Sequence, residues 1–271
     1  MSGAGVVSTT FSHGRTARVT AAALGWFFGA VLRVRRRHVE RALRRAGLEL
    51  PAMAVYRELA RHVVDLVGVA LSRNPTLVAF GPHARAALER ARARGPVVIA
   101  ASHTGNWELA AFALATLYPV SVVAKRQGVG LADRFARGLR ARFGVAVIEP
   151  RGAFAWASAA LRAGRVVAMA IDQVPDRAEH GEPCPFLGAE ALVDRAPFVL
   201  ARRTGAAVLV AVCEGGEVRV LGEVSPDDPR AAARAATALL ERHVLAHPAS
   251  WLWLHRRWRR PPPRRGVQAA A

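Results

Sequence analysis

Short apolar runs alternate with helix-like segments through the middle of this chain, and the alternation limits the folds that the chain can adopt. Strands are predicted at Val97–Ala101, Val120–Ala124, Val145–Ile148 and Val166–Ile171, and the helices between them at Trp107–Leu117, Leu131–Phe143 and Ala153–Arg162. Continuous apolar strands are typical of a sheet that is covered on both faces. The pattern therefore predicts an α/β fold with a mainly parallel central sheet flanked by helices.

Further elements precede and follow this alternating region. N-terminal amphipathic helices are predicted around His38–Leu43 and over Val55–Leu71, separated by Pro51, and are followed by a basic helix at Ala84–Arg94. After a loop rich in Pro and Gly, the chain continues with a helix at Arg195–Thr204, a hairpin of Ala207–Val212 and Val218–Val224, and a last helix at Ala231–Leu245.

We expect one domain over residues 31–258, because no change in composition divides it. Residues 1–30 are predicted to form an N-terminal interfacial or anchor segment, and residues 259–271 a disordered tail. The apolar run Ala21–Leu32 is shorter than the roughly 20 residues of a membrane span. Arginines follow it, so it is predicted to lie on an anionic membrane surface; the alternative is an ordinary helix packed on the domain.

The net charge of +19 indicates an anionic partner or surface. An anionic membrane, a phosphorylated glycolipid, an acidic carrier protein and nucleic acid would all be attracted. The sequence has no zinc-ligand spacing, RNA-recognition signature or dinucleotide fingerprint, so no nucleic acid, metal or redox cofactor is expected. Cys184 and Cys213 are far apart in the chain, which favours packing roles in a reducing compartment.

The run Ser102–Glu108 is the strongest functional signal, because it places His103 and Glu108 five residues apart at a predicted strand-to-helix junction. Residues five apart on one helix point roughly 140° away from each other, so these side chains meet only if the chain bends between them. Gly105 permits such a bend, and Asn106 suits a helix N-cap. A carboxylate bound to one imidazole nitrogen leaves the other free as a general base. A solvated or structural histidine is the competing interpretation.

Four ordered segments resemble the lysophospholipid acyltransferase superfamily and, within it, the bacterial lipid A biosynthesis (lauroyl/myristoyl) acyltransferase family. The segments are His103–Glu108, similar to the family's histidine-x4-acid motif; Arg140–Gly144 with Val147–Ile148; Ile171–Gln173 with Pro185–Gly188 and Leu200–Ala206; and His247–Trp258. The resemblance extends from about Val31 to Trp258. It implies an acyltransferase-type α/β fold.

The resemblance also implies an O-acyltransferase that moves a fatty acyl group from an acyl carrier protein or coenzyme A thioester to a hydroxyl of a lipid A-type glycolipid. No cofactor beyond this cosubstrate is expected. His103 is the expected base, with Glu108 to orient it, and the backbone N–H groups of Gly105 and Asn106 are candidates for an oxyanion hole. The expected location is the cytoplasmic face of a bacterial inner membrane, where the protein is peripheral or shallowly anchored.

Four more residues are candidates for substrate binding. Arg126 lies at the end of the predicted strand Val120–Ala124 and Arg142 in the second of the resembling segments; the resemblance marks both, and we favour Arg142 over the alternative of two solvated arginines. Asp172 and Gln173 end a strand of the same sheet, so they should face the same edge as His103. They are expected to contact acceptor hydroxyls or hold an active-site arginine, with helix capping by Asp172 as the alternative.

Two later segments have open interpretations. The Pro185–Gly188 loop is predicted to line the acyl channel, and Trp251–Trp258 is predicted either to enter the membrane interface or to pack against the sheet. Two other functions also stay open. One is transfer to another lipid, such as a lysophospholipid, a phosphoinositide mannoside or an aminolipid; the other is non-catalytic binding to membranes or nucleic acid.

Overall fold

A computed structural model describes residues 14–125 and 130–259. Its helices are α1 (Arg15–Trp26, continued by a π-helical turn at Phe27–Val31), α2 (Arg36–Arg45), α3 (Ala52–Leu71), α4 (Pro82–Arg94), α5 (Trp107–Ala115), α6 (Gly130–Arg142), α7 (Ala153–Arg162), α8 (Ala196–Thr204) and α9 (Pro229–Ala246). Its strands are β1 (Ala79–Phe80), β2 (Val97–Ala101), β3 (Val120–Val123), β4 (Val145–Ile148), β5 (Val166–Ala170), β6 (Gly181–Phe186), β7 (Ala189–Asp194), β8 (Ala207–Glu214) and β9 (Glu217–Val224).

Seven of the described strands form one sheet in the order β1-β9-β8-β2-β5-β3-β4. Neighbouring strands are parallel except β8 and β9, which form the expected antiparallel hairpin. The predicted α/β class and mainly parallel sheet are therefore confirmed. The bounds of β2 and β4 are those predicted, and the other predicted strands differ by a few residues at their ends.

The central strand β2 shows why a continuous apolar run was required. Val98 and Ala100 face a core completed by α7, α8 and α9, whereas Val97 and Ile99 face a second core completed by α4, α5 and α6. Because successive side chains of a strand point to opposite faces, burial on both sides leaves no place for alternating polar residues.

The two-stranded ribbon of β6 and β7 was missed, because its region reads as a loop rich in Pro and Gly. Pro183 and Pro185 occupy exposed positions of β6, and between them Cys184 is buried. Proline is tolerated in such a ribbon because it removes a donor only where no ladder bond is needed. Phe186 and Leu187 at its turn are buried in the core, and that this loop lines an acyl channel stays a prediction.

The N-terminal helix α1 packs along α3. Gly25 lies against the backbone of Arg57 and Gly29 against the ring of Tyr56, and an added Cβ at either glycine would come within 3 Å of its neighbour. No single helix among the described residues is long and apolar enough to span a membrane. By length and composition, α1 with its π-helical turn and α2 pass that test only as a pair bent by 94°.

The tryptophan-rich segment at the end of the described chain lies against the sheet. Trp251 and Trp253 are fully buried, and their rings meet edge to face at 4.8 Å. Trp251 also forms an isolated antiparallel bridge with Thr104, which joins the segment to the loop after β2. Of the two alternatives for this segment, packing against the sheet holds for these two tryptophans.

Candidate active site

The site is built where two neighbouring parallel strands end. β2 and β5 pair in register up to Ala101 and Ala170. His103 and Asp172 each follow two residues later, so both side chains lie at the carboxyl edge of the sheet, where open α/β sheets bind their ligands. The structure thus brings Asp172 and Gln173 to the same edge as His103, as their strand positions predicted.

Asp172 is the carboxylate bound to the His103 ring. Its Oδ1 lies 2.8 Å from Nδ1 of His103, and its Oδ2 accepts the backbone N–H of His103 at 2.7 Å and the indole N–H of Trp251 at 3.0 Å. The Asp172 side chain is 2% exposed and the His103 side chain 19% exposed, so the carboxylate is buried behind a ring that reaches solvent. This arrangement fixes the orientation of the imidazole.

Charge and burial compete in this pair. Burial disfavours the charged form of His103, but the Asp172 charge and hydrogen bond outweigh it and raise the pKa of His103 above its usual value. Burial likewise opposes ionisation of Asp172. The charge of His103 and the donors from His103 and Trp251 nevertheless lower the pKa of Asp172 to about 2. Asp172 is therefore an ionised acceptor at neutral pH.

The other ring nitrogen of His103 faces the cleft. Its Nε2 lies 3.1 Å from Nε2 of Gln173, the residue next to Asp172. The ring of Trp107 meets the His103 ring edge to face, with centroids 5.0 Å apart. Asp172, Gln173 and Trp107 together surround the imidazole.

The bend between His103 and α5 depends on Gly105 and Asn106. Gly105 has a φ of +60°, and an added Cβ would lie 1.9 Å from the carbonyl oxygen of Cys213. Asn106 caps α5 by accepting the N–H of Leu109 at 3.4 Å, and its amide donates to the carbonyl of His62 on α3 at 3.0 Å. The expected glycine bend and N-cap are both present.

The backbone N–H groups proposed for an oxyanion hole are used within the fold. The N–H of Gly105 donates to the carbonyl of Ser250 at 2.9 Å. The backbone N–H of Asn106 hydrogen-bonds the thiol of Cys213, whose pKa burial raises to about 12. The expectation that Gly105 and Asn106 supply oxyanion donors is therefore wrong in this structure, because the bend turns both groups towards the protein interior.

Glu108 contacts an arginine and makes no hydrogen bond to His103 among the described contacts. Its Oε2 accepts from Nε of Arg140 on α6 at 2.9 Å, and its Oε1 accepts from Nη2 of the same guanidinium. The two side chains are 13% and 11% exposed. The predicted contact between Glu108 and His103 is thus replaced by His103–Asp172 and Glu108–Arg140, because Glu108 lies in the first turn of α5, beside α6.

Arg142, favoured as the functional arginine, lies elsewhere. Its guanidinium donates to the carbonyls of Ala70 at 2.9 Å, Val69 at 3.3 Å and Ser72, where α3 ends. Residues two apart on a helix point about 200° away from each other, so only one of Arg140 and Arg142 can face the site. Arg142 stabilises the carboxyl end of α3, and Arg140 faces the site. Arg126 lies outside the described residues.

An open cleft of about 1130 Å³ extends from His103 across the carboxyl ends of β5, β3 and β4. Its lining includes Trp107, Glu108, Lys125, Arg140, Arg151, Phe154, Met169, Gln173, Arg177, Arg195, Val199 and Leu252. The cleft combines apolar surface with several cationic side chains, which suits a substrate with both a hydrocarbon chain and anionic groups. Among residues 14–125 and 130–259, no group of three or more His, Cys, Asp and Glu side chains is placed to hold a metal ion.

Sequence reasoning missed the roles of Arg140 and Trp251. The position of Arg140 carried a signal, because Arg140 and Arg142 are two residues apart on α6 and only one of them could face α5. The contact of Trp251 with Asp172 joins residues 79 positions apart, and no local pattern reveals such a pair.

An ionised, buried carboxylate that orients a histidine at the mouth of a cleft is typical of an α/β enzyme with a general-base site. This chain belongs to the bacterial lipid A biosynthesis acyltransferase family, whose sequence model matches residues 85–260. The match contains His103, Glu108, Arg140 and Asp172. Membership indicates acyltransferase activity on a lipid acceptor. No curated protein matches the chain significantly.

Proposed function

We propose that the protein transfers a fatty acyl group from an acyl carrier protein or coenzyme A thioester to a hydroxyl of a lipid A-type glycolipid, with His103 as general base. The hydrogen bond from His103 Nδ1 to Asp172 carries the proposal. It keeps the proton on Nδ1, so Nε2 presents its lone pair to the cleft.

The proposed reaction needs no covalent enzyme intermediate, because a thioester carbonyl is electrophilic enough for direct attack by an alcohol. His103 Nε2 takes the proton of the acceptor hydroxyl as its oxygen bonds to the carbonyl carbon. The carbon–sulfur bond then breaks, and the imidazolium returns the proton to the departing thiolate. Asp172 stabilises the imidazolium, and base catalysis of this kind contributes about 10²–10⁴ in rate.

Glu108 has a different task in this proposal. Its two hydrogen bonds hold the guanidinium of Arg140 at the cleft, where Nη1 has no hydrogen-bond partner within the described residues. A fixed cation near the base is suited to bind the oxyanion of the tetrahedral intermediate or a phosphate of the acceptor. Glu108 is thus a positioning residue for Arg140. In this proposal that role replaces the expected direct contact of Glu108 with His103.

We place the protein on the cytoplasmic face of a bacterial inner membrane. Large apolar side chains are exposed on α1, on and just after its π-helical turn, and along one face of α3: Val19, Trp26, Phe27, Phe28, Val31 and Leu32, with Val63, Val67 and Leu71. The three α3 residues are spaced four apart, so they share a face. Exposed aromatic side chains beside many arginines favour an anionic lipid surface.

The test is an acyl-transfer assay with purified protein, acyl carrier protein and coenzyme A thioesters, and a panel of lipid acceptors analysed by mass spectrometry. His103→Ala should lose nearly all transfer activity. His83→Ala is the matched control, because His83 is an exposed histidine on α4. Full activity of His103→Ala would exclude His103 as the base, and transfer confined to lysophospholipid or aminolipid acceptors would exclude the glycolipid assignment.

A further inference from the structure

The side chain of Gln173 hydrogen-bonds Nε2 of His103, the nitrogen that acts as base in the proposed mechanism. Nδ1–H of His103 donates a hydrogen bond to Asp172 Oδ1, because the ionised Asp172 carboxylate can only accept. Nε2 of the neutral ring is therefore an acceptor. The atom 3.1 Å away is the amide nitrogen of Gln173, so Gln173 donates a hydrogen bond to the lone pair of the base.

A lone pair that already accepts a hydrogen bond cannot at the same time accept a proton from a substrate hydroxyl. In the arrangement that the structure shows, His103 is oriented correctly but blocked at Nε2. Gln173 is half-buried and lines the cleft, and rotation of its side chain would move the amide away without displacing Asp172, which is a separate residue buried behind the ring. The blocked and open states differ by one side chain.

This block matters because the cleft is open and water is the competing nucleophile. Attack by water would involve the same bond changes and proton transfers as attack by the acceptor hydroxyl. Nε2 would take a proton from water, the water oxygen would bond to the thioester carbonyl carbon, the carbon–sulfur bond would break, and the thiolate would recover the proton. The products would be a free fatty acid and a thiol, and the acyl donor would be lost.

We propose that Gln173 guards the base: it occupies Nε2 of His103 until the acceptor displaces its amide, and it thereby suppresses hydrolysis of the acyl thioester. The inference rests on the proposed function for its consequence, although the hydrogen bond itself does not. A bound acceptor can replace the Gln173 contact with its own hydroxyl, supported by its other contacts in the cleft, whereas a single water molecule has no such support. Gln173 thus acts on the choice of acceptor through His103.

The first test measures the blocked lone pair without any catalysis. Diethyl pyrocarbonate modifies unprotonated imidazole, and peptide mass spectrometry gives the rate at His103, with exposed His83 as internal reference. Gln173→Ala and Gln173→Met should both raise the limiting alkaline rate at His103 roughly two- to tenfold, the factor that one neutral hydrogen bond contributes. Met keeps the bulk of glutamine but cannot donate. A rise with Ala alone would mean that glutamine merely covers the ring, and would overturn the proposal, as would an unchanged rate in both variants.

The second test measures the consequence. Purified Gln173→Met and wild-type protein are given acyl thioester with and without acceptor lipid, and free fatty acid and acylated lipid are quantified. The variant should hydrolyse thioester roughly two- to tenfold faster without acceptor and show a higher ratio of hydrolysis to transfer with acceptor. Faster labelling with unchanged hydrolysis would overturn the guarding role. If wild-type protein transferred no acyl group at all, the proposed function would fail while the labelling result still decided the hydrogen bond.

Discussion

The indole N–H of Trp251 donates to Oδ2 of Asp172 at 3.0 Å, and the two residues are 79 positions apart in the chain. The same oxygen accepts the backbone N–H of His103. The closing segment of the chain therefore completes the environment that keeps Asp172 ionised in a buried position, where an unsatisfied charge would be costly. The strand end supplies the carboxylate, and the distant tryptophan supplies its third donor, after the ring and backbone N–H groups of His103.

Asp172→Asn should reduce acyl transfer about 10²–10⁴-fold, because the amide no longer enforces the Nδ1–H tautomer or stabilises the imidazolium. The Asp172 charge raises the pKa of His103, and only neutral His103 can act as base. The acid limb of the kcat/KM profile should therefore shift to lower pH in the variant. An unshifted limb with full activity would remove Asp172 from the mechanism.

Trp251→Phe is the companion variant, since phenylalanine keeps most of the buried packing and removes one donor to Asp172. It should cost about 1.5–3 kcal/mol of unfolding free energy, as is typical of a hydrogen bond to a charged group. Its activity should fall less than that of Asp172→Asn, because the bond between Asp172 and His103 remains. Urea denaturation and the same transfer assay provide the two measurements.

The ion pair of His103 and Asp172 should stabilise the fold most within a limited range of pH. The pKa of Asp172 falls to about 2 on folding, so its stabilising contribution is present above the unfolded value near pH 4 and is lost as the pH falls towards about 2. The pKa of His103 is raised, so its contribution is complete below about pH 6.5 and is lost as the pH rises through the folded value.

The difference in unfolding free energy between wild type and Asp172→Asn should therefore be largest between about pH 4 and 6.5 and smaller on both sides. Urea denaturation at a series of pH values measures it. A difference independent of pH would mean that His103 and Asp172 do not form an ion pair.

The position of the site could be predicted from the sequence, whereas the pairing of its charges could not. The strand-to-helix bend at Gly105, the cap at Asn106 and the shared edge of His103 and Asp172 follow from local patterns. The partner of His103 depends on which carboxylate lies behind the ring. That is decided by the pairing of β2 with β5, which no local spacing encodes.

The contact predicted between Glu108 and His103 is wrong for a related reason. Its five-residue distance from His103 suggested a direct contact, but α6 brings Arg140 against it from 32 positions away. The β6–β7 ribbon was missed because prolines in its exposed positions look like a loop. In both cases a tertiary neighbour decided the outcome.

Gly105→Ala should be far more damaging than Gly144→Ala. Both glycines have positive φ, +60° and +72°, so each alanine pays about 1–2 kcal/mol for a left-handed backbone. The Gly144 site is otherwise open, whereas a Cβ at Gly105 would lie 1.9 Å from the Cys213 carbonyl oxygen. Gly105→Ala must therefore shift the loop that carries His103. Thermal unfolding and transfer activity should both fall well below those of Gly144→Ala; equal effects would contradict the close approach.

Glu108→Ala and Arg140→Ala should cause similar losses of activity, and the double variant should be no worse than the more damaging single variant. Each single change also leaves one member of a largely buried ion pair unpaired, which destabilises the fold. A double-mutant cycle of unfolding free energies should therefore give a coupling free energy of about 0.5–3 kcal/mol between the two residues. The exposed pair Arg85–Glu89 on α4 is the control, with a coupling of about 0.5 kcal/mol or less. Loss of activity in Glu108→Ala alone would instead favour direct action of Glu108 on His103.

Binding to anionic vesicles should depend on the exposed apolar residues at the end of α1. Replacing Trp26 and Phe27 by serine removes two aromatic side chains that are 59% and 43% exposed, so the fold loses little while the apolar contact with lipid is lost. Cosedimentation with vesicles containing phosphatidylglycerol should fall about tenfold or more. Trp156→Ser is the matched control, because Trp156 is 68% exposed on α7, which packs against α8 and the sheet, whereas α1 packs against α3. Equal loss of binding in the control would show that the membrane contact is not specific to α1, and unchanged binding in the double variant would place the contact elsewhere.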